Sequence, residues 1–149
     1  MSVVTVTLII IAGISAWNDL PAVFGSQERL IQRHKKAKSS LDEIINGGTE
    51  NVALMNTVFI ILMSLMVFFN LFMATWVLTH VSLMIGILGL MCDLVIMVSV
   101  LMSTRQVGSF IEALSLSLLQ PLTGRTVAVA RMFSLIDLMV CICFIASLI

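Results

Sequence analysis

Two aspartates stand inside stretches of sequence that are otherwise almost wholly apolar: Asp93 within residues 81–103 and Asp137 within residues 126–149. A charged carboxylate at the middle of a bilayer costs about 2.5–3.5 kcal/mol on insertion scales, so such a residue is expected to have a partner or to line a path. Asn70, in the apolar run 52–79, and Arg131, six residues before Asp137, are the polar residues placed to join them. Two roles follow. Asp93 and Asp137, with Asn70, either line an aqueous route for protons or cations, or they hold helices together by hydrogen bonds or by pairing with Arg131, within one copy or with a neighbouring subunit. Pairing is the role the sequence favours.

Other chemistry lacks its residues. Two carboxylates can serve as an acid/base dyad, but the Gly-x-Gly-Asp context of intramembrane aspartyl proteases is replaced here by Leu90-Met91-Cys92-Asp93. Ser64, Ser82, Ser99 and Ser134 have no histidine in the same apolar segments to act as base, because His34 and His80 both lie in connections. Those two histidines are placed in connections on opposite sides of the membrane, so one copy does not assemble a bis-His haem or a His-rich metal site. There is no Walker loop and no Gly-x-Gly-x-x-Gly. Cys92, Cys141 and Cys143 fall in apolar runs; Cys141 and Cys143 point about 200° apart on a helix, which suits packing better than metal ligation. Eleven methionines are scattered without a His or Cys cluster, as apolar filling. The sequence therefore predicts no enzyme, no cofactor and no metal.

The elements that must carry these residues follow from composition. The 149 residues are 60% hydrophobic and 11% charged, with a mean hydropathy of +1.14, against roughly 45–50% apolar and about 25% charged in a soluble domain. Residues 52–79 and 81–103 are two long apolar runs meeting at His80, and they predict an antiparallel transmembrane hairpin whose turn lies between about Leu78 and Ser82. Gly86 and Gly89 permit close backbone approach in its second arm. The last span is expected at 126–149. Residues 2–19 read as a retained signal-anchor helix, since a basic leader region is missing and a cleavage site is hard to find; Pro21 is expected to end it. Its small residues Ala12, Gly13 and Ala16 offer a face for another helix. If that segment lies on the surface instead, three spans remain.

Two polar connections complete the chain. In residues 20–51, Leu30, Ile31, Ala37, Leu41, Ile44 and Ile45 recur at helical spacing among basic residues, which predicts an amphipathic helix or helix pair. Ser40 to Glu43 has capping-box spacing and is expected to restart the helix after a bend, while Gly47-Gly48 ends it. In residues 104–125, a shorter amphipathic piece is expected at 109–120, where Ser109 to Glu112 again has capping-box spacing, followed by a break at Pro121. Thr49 or Asn51 is expected to cap the second span, and Trp76 to sit in an aromatic belt.

All eight basic residues fall in or beside the first and third connections: Arg29, Arg33, Lys35, Lys36, Lys38, Arg105, Arg125 and Arg131. By the positive-inside rule those connections face the cytoplasm and both termini lie outside, in a plasma membrane or bacterial inner membrane. Arg29, Arg33, Lys35, Lys36 and Lys38 form a surface for anionic lipid headgroups, at roughly 1 kcal/mol per basic residue. The net charge of zero gives no reason to expect nucleic acid.

The sequence thus predicts an all-α integral membrane bundle of four spans with cytoplasmic amphipathic helices, in one polytopic domain. Its favoured function is that of a small non-catalytic subunit that scaffolds, or lends helices to, a self-associated or larger membrane complex. The alternative is a channel or transporter protomer conducting protons or cations past Asp93 and Asp137, with an intramembrane hydrolase a distant third.

Overall fold

The computed structural model describes residues 2–47, 49–107, 111 and 123–149. Among these residues the secondary structure is α-helix, with five helices bounded as α1 (Val3–Phe24), α2 (Gln27–Asn46), α3 (Thr49–His80), α4 (Leu83–Val107) and α5 (Gly124–Leu148). Four of them, α1, α3, α4 and α5, are long and apolar enough to cross a membrane. Backbone N–H and C=O groups in hydrocarbon must be satisfied within their own segment, which is why apolar runs of this length fold as helices. α3, with 32 residues, is roughly 48 Å long at 1.5 Å per residue, more than the roughly 30 Å of a hydrocarbon core.

Local chemistry fixes where helices begin and turn. Ser2 Oγ accepts the Thr5 amide at 3.1 Å, and Thr123 Oγ1 accepts the Thr126 amide at 3.3 Å, each satisfying an N-terminal donor that has no helical partner. Between α3 and α4 only Val81 and Ser82 remain, and both of their amides donate to Val77 O at 2.9 Å. The hairpin is therefore as tight as the sequence implied. Gly86 makes it possible, since a Cβ there would collide with the backbone of Leu78.

Two boundaries differ from the sequence expectation. α1 does not stop near Asp19; it continues through Pro21 to Phe24, and the Gly25 amide donates to Pro21 O at 2.9 Å. Proline removes one donor but keeps its carbonyl, and membrane helices tolerate that loss. α2 is also continuous, with no bend at Ser40, because Leu41 is buried and holds that turn inward. The short helix expected at 109–120 lies outside the described residues except at Ile111, a fully buried side chain whose amide donates to Asn56 Oδ1 at 3.3 Å. The caps expected from Thr49 or Asn51 concern side chains that are likewise outside the described set.

The bundle packs chiefly through α1 against α5 and α3 against α4, with α5 also touching α3 and α4. Its core is Ala12, Met73, Ala74, Val77, Val140, Cys141 and Phe144. All of these lie toward the end that holds the His80 turn. There Phe144 meets Phe69, Phe72 and Trp76 edge-on, with ring centroids 6.0–6.4 Å apart. Trp76 donates its indole N–H to Ser147 Oγ at 3.0 Å and stacks on His80 at 4.2 Å. Trp76 is thus a partly buried tie between α3 and α5. The opposite end is looser: α3 and α4 are parted by a groove of about 530 Å³, lined by Ile60, Met63, Val67, Phe68, Met97 and Leu101 among others.

Candidate functional site

Beyond the core, toward the looser end, three carboxyl groups meet. Asp19 from α1, Asp93 from α4 and Asp137 from α5 line one cavity of about 110 Å³ together with Gly89, Cys92, Ile96, Phe133, Ser134 and Ile136. Asp19 lies beside Asp137 and Ser134, and Asp93 faces Asp137. Two carboxylates offer only acceptors, so carboxyl groups placed side by side join directly only when one of them carries a proton.

The helices bring these residues together by simple registers. On α1, Ala12, Ala16 and Asp19 stand at i, i+4 and i+7, which is one face. Ala12 is buried in the core and Ala16 packs against it, so the face that docks on α5 carries Asp19 to Asp137. On α4, Gly89 precedes Asp93 by four residues and lies on the same face. A Cβ at Gly89 would meet Val140 Cγ2 at 2.8 Å and Ala74 Cβ at 3.2 Å. The missing side chain lets α4 press against α5, and Asp93 then faces Asp137. On α5, Ser134 precedes Asp137 by three residues and so shares its face.

Of the residues singled out in the sequence, Asp93 and Asp137 converge. Asn70 does not join them: it lies on α3, which contributes nothing to the cavity. Arg131 does not join them either. Its Nη2 donates to Gly25 O at 2.6 Å, tying α5 to the α1–α2 connection. Six residues of helix set Arg131 roughly 9 Å along the axis from Asp137. Of the basic residues of α2, Arg29, Arg33, Lys35 and Lys36 are exposed and Lys38 is partly covered. Gly13, expected with Ala12 and Ala16 to form a contact face, has open space where a Cβ would stand; the contact is made by the two alanines.

Asp19 is the residue that sequence reasoning passed over. The signal was present, since it continues the small-residue face of Ala12 and Ala16, but Asn18-Asp19-Leu20-Pro21 read as an exit from the helix. Once α1 runs to Phe24, Asp19 stands inside a span.

Chemically, the arrangement offers carboxyl oxygens and one hydroxyl in a small chamber with apolar walls. Among the described residues no group of three His, Cys, Asp or Glu side chains is disposed to hold a metal ion. The chamber has no basic side chain in its lining and has room for a few waters. Carboxyls that share protons with one another and with water can take up and release them, the behaviour of acid chains in proton relays. Comparison with protein families, curated proteins and solved structures finds no significant match to this chain.

Proposed function

We propose that the chain is a non-catalytic polytopic membrane protein that takes protons up and releases them at Asp19, Asp93 and Asp137, as the protomer of a proton-conducting or proton-coupled channel or transporter. The observation that carries this reading is the convergence of three carboxyl groups from three helices on one cavity whose lining holds no cation. Of the pairing roles read from sequence, the one through Arg131 is not made, since Arg131 is engaged with Gly25 O; contact between helices through the carboxyls themselves, Asp19 of α1 beside Asp137 of α5, is compatible with proton exchange. In this reading the looser end, where the basic residues gather, faces the cytoplasm and both termini lie outside, as the positive-inside rule favours.

The second reading, a subunit of a larger or self-associated assembly, is favoured by the apolar groove between α3 and α4, into which side chains of another helix could pack. The assembly reading is compatible with proton exchange but does not require it.

Reconstitution in vesicles carrying a pH-sensitive dye decides between them. The native chain is expected to move protons down an imposed gradient, and Asp137→Asn to lower the rate by roughly tenfold or more, because it removes the group that touches Asp19 and faces Asp93. Asp93→Asn should lower it less. Equal leak from native, Asp93→Asn and Asp137→Asn vesicles removes the proton reading. A sodium-dependent flux with no proton flux assigns the path to a different ion.

A further inference from the structure

A second cavity, of about 310 Å³, lies at the looser end between the inner face of α2 and the start of α5, and is lined by Ala22, Leu30, Arg33, His34, Ala37, Val127, Ala130 and Arg131. Its volume is at the low end of small-molecule sites, roughly 300–1,000 Å³. Three of its eight lining residues are basic types and none is acidic. Leu30, Arg33, His34 and Ala37 form one helical stripe, so α2 presents cationic groups together with apolar surface. Arg131 reaches the same space from a different helix. Its guanidinium is anchored by one bond to Gly25 O, and its Nε is buried with no hydrogen-bond acceptor among the described residues. A buried donor without an acceptor is costly, and an oxyanion seated in the cavity would relieve it.

The cavity lies where two spanning helices end: Ala22 is two residues from the end of α1, and Val127 is in the first turn of α5. That is the level of a lipid headgroup when these helices cross a bilayer. The apolar part of the lining, Ala22, Leu30, Ala37, Val127 and Ala130, suits the glycerol and upper acyl region beside it.

We propose that this cavity binds a phosphate group, supplied by an anionic phospholipid, with Arg33, His34 and Arg131 as its donors. Arg131 holds it through the fork geometry of its guanidinium and Arg33 closes it from α2. Arg29, Lys35 and Lys36 lie outside the cavity and add only general attraction to an anionic surface. The site is separate from the carboxyl chamber and does not depend on proton exchange there.

The test uses the full-length protein in a mild detergent, stripped of co-purified lipid. It is titrated with short-chain phosphatidylglycerol, short-chain phosphatidylcholine and inorganic phosphate, with bound molecules counted by native mass spectrometry and stability followed by thermal unfolding. Phosphatidylglycerol is expected to bind and raise the midpoint, and phosphatidylcholine at the same concentration to do neither. Arg33→Gln and Arg131→Gln should each weaken that binding by roughly tenfold or more, the size of one lost charge-assisted hydrogen bond. Lys36→Gln should change it by less than about twofold. Arg131→Lys keeps the charge without the fork and should fall between, and Arg33→Gln serves where Arg131→Gln does not fold. Equal binding of both lipids, or unchanged affinity in Arg33→Gln, overturns the proposal. Saturation by inorganic phosphate, with no added gain from phosphatidylglycerol, assigns the cavity to a soluble phosphate and overturns its lipid source.

Discussion

At the end of the bundle that holds the His80 turn, Phe144 is fully buried among Phe69, Phe72 and Trp76. At the other end α3 and α4 are parted by a groove of about 530 Å³, and α2 and α5 by a cavity of about 310 Å³. The same four spans build both ends, so helix propensity and hydropathy do not distinguish them. The difference lies in what stands where the helices meet. The closed end has alanines, a glycine and aromatic rings that fit; the looser end has Arg33, His34 and Arg131 around the α2–α5 cavity and chiefly large apolar side chains along the α3–α4 groove. Without a hydrophobic driving force between helices in lipid, close fit and interhelical hydrogen bonds must hold a bundle together. The three carboxyls lie at the boundary, where packing becomes loose enough to leave a chamber but tight enough to position Asp19 against Asp137.

Breaking the closed end should therefore cost the most stability. Phe144→Ala removes the ring that three aromatic neighbours touch and is expected to destabilise the fold by about 3–5 kcal/mol, read by reversible unfolding in mixed micelles. A loss near that of an exposed Phe68→Ala would mean that the rings carry little of the bundle's cohesion. At the boundary, Gly89→Leu is the sharper probe. Its side chain would meet Val140 and Ala74, so about 1–3 kcal/mol of overpacking is expected. It should also lower proton flux while all three aspartates remain, because α4 is pushed off α5. Gly13→Ala is the control: a Cβ there meets open space, and the exchange should be neutral or stabilising by about 0.5–1 kcal/mol.

The four spans were legible because hydropathy accumulates over some twenty residues and does not depend on which helices meet. The hairpin was legible for the same reason, with Gly86 marking its close approach. What could not be read was register. Asp93 and Asp137 were visible as costly residues, but nothing local tells that Asp19 faces them; that depends on how far α1 slides along α5, which Ala12 and Ala16 decide by packing. Arg131 pairs with a backbone carbonyl, a partner that carries no signature in sequence. Pro21 misled because the rule against proline in helices is calibrated in water. The continuity of α2 through Ser40 shows the converse, a capping pattern overridden by the burial of Leu41.

The smallest effect tests how far the closed end depends on polar ties. Trp76 donates to Ser147 Oγ at 3.0 Å, and Ser147 in turn donates to Phe144 O at 2.7 Å. Interhelical hydrogen bonds in bilayers average roughly 0.6 kcal/mol, so Ser147→Ala should destabilise by about that much and leave proton flux unchanged. Trp76→Phe removes the same bond but also alters the stack on His80 and the contact with Phe144. A double-mutant cycle between the two positions isolates the bond itself. A coupling of about 0.6 kcal/mol would show the closed end held mainly by fit between rings and small residues. A coupling several times larger would make the Trp76–Ser147 bond a principal clamp, and the contrast between the two ends would then be one of hydrogen bonding as much as of packing.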